Sequence, residues 1–105
     1  MGQRKKKVPP FVMLERSVLK GNEWQSLRAS SRDIYMLLKA NYNGGNNGGI
    51  KFKYEEAKNM HSPATISRAL KQLITEGWLE KTQHGGLHRY YCLYKLTWSH
   101  DINRQ

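Results

Sequence analysis

A chain of 105 residues with 38% hydrophobic content suits one compact domain with a small core and leaves no room for a second. Eighteen Lys and Arg against eight Asp and Glu give a formal charge of +10, an excess that favours a polyanionic partner, nucleic acid first, over a purely solubilising role. The single cysteine, Cys92, excludes an internal disulfide, and no apolar run reaches the about 18 residues of a membrane span or forms a signal segment, so a cytoplasmic chain with no membrane partner is expected.

The opening "MGQRKKKVPP" joins a basic cluster to two prolines without apolar periodicity, which predicts a flexible basic arm over residues 1–10 and a domain over 11–98. Arg4, Lys5, Lys6 and Lys7 of this arm are candidate DNA contacts, on phosphates or in a minor groove. From Phe11 to Leu27 the apolar positions are irregular and Gly21 with Asn22 interrupts them, so short helix mixed with extended chain is expected.

"SSRDIYMLLKANY" reads as a core helix, with Ser30 as cap, Asp33 completing a capping box, and Ile34, Leu37, Leu38 and Tyr42 at helical spacing. "NGGNNGG", residues 43–49, ends that helix in a turn. It has neither the Walker ending nor GxGxxG, so it is not read as a phosphate-binding loop. "IKFK" alternates like a short edge strand, and "YEEAKNM" is expected to form about two helical turns.

The next stretch carries clear boundary signals. Ser62 is an expected N-cap, Pro63 suits the first helical position, and Gly77 supplies the stop. At about 100° per residue Ile66, Leu70, Leu73 and Ile74 form the core stripe. The outer face carries Ala64, Thr65, Ser67, Arg68, Lys71, Gln72 and Thr75, with no acid until Glu76. Small and short polar residues let a helix approach a groove closely, hydroxyls and backbone N–H groups can meet phosphates, and an Arg can pair with guanine or phosphate. The plainer alternative is a solvated helix face.

"WLEKTQH" and "LHRYYCLYKLT" then predict a β-hairpin around Gly85 and Gly86, with Tyr94 and Leu96 inward and a tail over 99–105. Cys92, within the second run, reads as a small buried hydrophobe, not a nucleophile. Tyr90, Tyr91 and Tyr94 could stack on single-stranded bases, but alternation turns about half of such a strand to the core. Trp24, Trp78 and Trp98 are expected as core or interface anchors.

"MHSPATISRALKQLITEGWLEK" resembles the recognition helix and first wing strand of winged-helix DNA-binding proteins, whose pattern Ser62, Thr65, Ile66, Arg68, Leu70, Leu73, Gly77, Trp78 and Leu79 fill. The wider layout over about residues 11 to 97, with its Trp, core helix and Asn-Asn-Gly turn, is similar to N-terminal domains of phage and plasmid replication or regulatory proteins. The resemblance implies an α+β, mostly helical winged helix-turn-helix, with a three-helix core and a C-terminal β-hairpin wing. It places Ser62, Ala64, Thr65 and Arg68 toward double-stranded DNA, with Lys71 and Gln72 near a flanking phosphate or base edge. Wing contacts would come from His84, His88 and Arg89 around the Gly85-Gly86 tip, a short and modestly charged wing.

A sequence-specific DNA-binding protein is therefore expected, serving transcription regulation or phage or plasmid DNA replication. A homodimer is also expected, because one recognition helix reads only a few base pairs. The alternative is a winged-helix adaptor that binds a protein partner through the same surfaces. No enzyme, cofactor or metal is expected: the acids are scattered, no Ser, His and Asp set converges, and His61, His84, His88 and His100 lack ligand spacing.

Overall fold

Two thirteen-residue helices packed against a three-stranded antiparallel sheet dominate the computed structural model, which describes residues 11–83 and 92–98. In chain order the elements are α1 (Arg16–Leu19), α2 (Asn22–Gln25), α3 (Ala29–Asn41), β1 (Ile50–Phe52), a 3-10 turn (Tyr54–Ala57), α4 (Pro63–Thr75), β2 (Leu79–Gln83) and β3 (Cys92–Leu96). The expected α+β class holds. The single turns α1 and α2 are the short helix expected between Phe11 and Leu27, but the two helical turns expected from "YEEAKNM" are one 3-10 turn. The carbonyl of Ala57 accepts from the N–H of both Met60, at 2.9 Å, and His61, at 3.0 Å, which closes the segment instead of propagating it.

The α3 helix buries Ile34, Tyr35 and Leu38 completely. Its N-cap is Arg28, two residues before Ser30, and no side chain caps it. The expected Ser30 and Asp33 capping box does not form, because Ser30 is already inside the helix; the Asp33 carboxylate lies instead 2.8 Å from His61 Nε2. The turn before the helix is held by the Arg32 guanidinium, which donates to the carbonyl of Leu27 at 2.6 Å and to that of Gln25 at 3.4 Å.

The sheet order is β1-β3-β2, so β1 is an edge strand as its alternation predicts, with Ile50 and Phe52 buried and Lys51 exposed. β3 is central, pairing Tyr94 with Ile50 on one side and with Lys81 on the other. Tyr94 and Leu96 face inward and Lys95 outward, again as expected. The hairpin tip, the basic arm of residues 1–10 and the tail of 99–105 lie outside the described residues.

The Asn-rich loop is tied into this sheet. The Asn47 carboxamide donates to the Leu96 carbonyl at 3.2 Å and accepts from the Leu96 N–H at 2.7 Å, so a side chain takes the place of a strand partner beyond the start of β1.

The core closes on aromatic edges. Trp24, Tyr35 and Trp78 pack mutually edge-on at centroid distances of 5.3 to 5.8 Å, and Trp98 stacks on Trp78 at 4.3 Å. Trp78 reaches this position through the end of α4. Gly77 adopts φ +85°, its N–H reaches the carbonyl of Ile74, and the Trp78 N–H reaches that of Leu73 at 2.8 Å. No helix among the described residues is long and apolar enough to cross a membrane.

Candidate nucleic-acid interface

The α4 helix starts and stops where the local chemistry of its sequence requires. The Ser62 hydroxyl accepts from the Thr65 N–H at 3.2 Å, and Pro63 fills the first turn where its missing donor costs nothing. Ile66, Ala69, Leu70 and Leu73 are its buried face. Ile74, expected in that stripe, is 37% exposed. It lies about 90° from the centre of the buried set at 100° per residue, and the smaller Ala69 completes the packing on the other side.

The opposite face is open. Ser62, Ala64, Ser67, Arg68 and Lys71 are exposed and Thr65 is half-buried. The Ser62 hydroxyl donates to Thr65 Oγ1 at 3.0 Å, and Arg68 Nη2 reaches the same oxygen at 3.5 Å. Ser62, Thr65 and Arg68 thus form one hydrogen-bonded row along the first two turns. The donors of Arg68 beyond that single long contact have no described protein partner, which leaves the fork available for a planar acceptor pair.

Gln72 also has a structural role that its outer position on the helical wheel does not announce. Its Oε1 accepts from the Arg28 backbone N–H at 3.1 Å and from the buried Ser31 hydroxyl at 2.5 Å, while its Nε2 donates to Glu76 at 3.0 Å. The carboxamide oxygen is thus occupied in joining α4 to α3, while Nε2 has a second N–H beyond its bond to Glu76. The same bond engages Glu76, the first acid on this face.

Two surface depressions flank α4. One, of about 520 Å³, lies at its N-terminal end and includes Tyr54, Lys58, Met60, His61, Ser62 and Ile66 among its walls. The other, of about 420 Å³, is lined by Arg28, Arg68, Lys71, Gln72, Thr75 and Glu76. Arg28 escaped the sequence reading: nothing in its own neighbourhood marks it, and only the pairing with Gln72, 44 residues away, brings it to α4.

The remaining expected contacts, Arg4, Lys5, Lys6, Lys7, His84, His88 and Arg89, lie outside the described residues. Among the described residues no group of three or more His, Cys, Asp or Glu is arranged to hold a metal. Cys92 is half-buried on β3, less enclosed than expected, and takes part in no disulfide among the described residues. Its neighbour Tyr94 has its phenol pushed well above the ordinary range, first by burial and then by Cys92.

No family model, curated protein or solved structure matches the chain. The functional reading therefore rests on residues and geometry.

Proposed function

We propose that the protein is a sequence-specific double-stranded DNA-binding module of winged-helix type, with α4 entering the major groove. In this reading α3, the 3-10 turn and α4 form the helical core, and β2 with β3 forms the base of the wing. One observation carries it: the outward face of α4 holds only small or short polar side chains beside Arg68 and Lys71, in a chain of formal charge +10. A face of that profile reaches a groove floor, and long acidic side chains that would repel phosphate are missing from it until Glu76.

Arg68 then reads a base edge, with guanine as the natural partner of its fork, and Ser62, Ala64, Thr65 and Ser67 line the approach. Lys71 meets a flanking phosphate. The resemblance of residues 60–81 supports a role as a transcriptional regulator or a phage or plasmid replication-type factor. A homodimer fits the short reach of one helix, and Phe11 and Met13, 68% and 60% exposed ahead of α1, offer apolar surface for it.

One observation favours the adaptor alternative: Tyr54 and Met60 stay exposed beside the depression at the N-terminal end of α4. Repeated selection of bound duplexes from a random pool separates the two. The DNA reading expects one enriched motif, whereas an unenriched pool after several rounds favours the adaptor.

A further inference from the structure

We infer that Arg28 and Lys71, beside the base-reading Arg68, form a phosphate seat on the flank of α4, where the hydrogen bonds of Gln72 join α3 to α4. This inference deepens the DNA-binding reading and rests on it. Its starting point is that the three cations converge on one shallow depression from two different helices, since Arg28 belongs to the N-cap of α3 and the others to α4.

Cations around one depression repel one another, and the only acid lining it among the described residues, Glu76, already accepts from Gln72 Nε2. Charges that line one depression act together on an anion entering it over distances up to the Debye length, ~10 Å at 0.1 M salt. The guanidinium of Arg28 has no hydrogen-bond partner among the described residues. Arg32, one turn on, has its guanidinium committed to backbone carbonyls. Two arginines so close in sequence therefore differ: one guanidinium closes a turn, and the other residue lines the depression.

Rigidity comes from Gln72. Its Oε1 fixes the backbone of Arg28 at 3.1 Å and the hydroxyl of Ser31 at 2.5 Å, so the cation on α3 is held in register with those on α4. A strand bordering the groove that α4 enters presents phosphate oxygens beside the helix. A guanidinium projecting from a second helix is suited to that border, not to the base edges, and such contacts fix register on the duplex without reading sequence. Arg28 thus supplies binding to any duplex, and Arg68 supplies the choice among duplexes.

The test measures duplex affinity of the full chain against salt for the unaltered protein, Arg28→Ala, Arg28→Lys and Arg16→Ala. Arg16 is an exposed cation on α1 that lines neither depression. The expected result is a loss of roughly threefold to tenfold with Arg28→Ala at 0.1 M salt, equal on selected and random duplexes, with the salt slope falling by about 0.9. Arg28→Lys should restore the slope, and Arg16→Ala should leave it unchanged. An effect of Arg28→Ala no larger than that of Arg16→Ala overturns the seat and leaves only net charge. A loss confined to selected duplexes overturns the phosphate assignment. Absence of duplex binding by the unaltered protein overturns this inference together with the DNA-binding reading.

Discussion

Gln72 and Ser31, 41 residues apart in the chain, meet in a 2.5 Å hydrogen bond between a carboxamide oxygen and a fully buried hydroxyl. The same oxygen receives the Arg28 N–H, so one acceptor closes two donors at the start of α3. Gln72→Ala removes it and leaves the Ser31 hydroxyl without a partner in the core, which should cost about 1 to 3 kcal/mol in urea unfolding. Ser31→Ala should cost less, because the Gln72 oxygen keeps Arg28. Equal stability of Gln72→Ala and the unaltered protein would contradict this role.

Arg68→Ala should weaken binding to the selected duplex by about 1 to 3 kcal/mol and relax the base preference at one position of the site. Competition between the selected duplex and variants at each position gives the reading. Equal losses on every sequence would reduce Arg68 to a phosphate contact.

Gly77 holds φ +85° at the end of α4, where its missing Cβ leaves the backbone free to deliver Trp78 into the core. Space is not the limit, since nothing lies within 4 Å of where a Cβ would stand. The strain of a left-handed residue alone should make Gly77→Ala less stable by about 1 to 2 kcal/mol. Thermal unfolding measures it, and an unchanged melting temperature would show that the turn relaxes to another geometry.

Tyr94 gives a pH dependence of definite sign. Burial raises its phenol above the ordinary value of about 10, so the folded state keeps the proton that the unfolded chain releases. Its contribution is fully present below about pH 10 and is lost progressively above it. Circular dichroism should therefore show unfolding begin in strong alkali, and Tyr94→Phe should move that onset to higher pH. An onset unmoved by Tyr94→Phe would place the alkaline sensitivity elsewhere.

Signals confined to a few neighbouring residues were legible. Ser62, Pro63 and Gly77 bound α4 as their local chemistry requires, and the alternation of Tyr94, Lys95 and Leu96 gave the inward face of β3. Where a distant partner competes, local reading was incomplete. Asp33 has the spacing of a capping box but lies against His61, Ser30 being already inside the helix, and Gln72 sits on the outer face of the helical wheel but turns to Arg28 and Ser31. Tyr54–Ala57 has helix-forming residues, yet the Ala57 carbonyl closes the turn after one 3-10 unit. The candidate site was readable as far as Arg68 and Lys71; Arg28 joined it only through a tertiary contact.

Fluorescence anisotropy of the full chain titrated into labelled random duplex, at about 50 and 200 mM salt, bears on DNA binding before any motif is known. The DNA-binding reading expects measurable affinity at low salt that falls steeply as salt rises, because each neutralised phosphate releases counterions. No binding at the lower salt, or binding indifferent to salt, would contradict it.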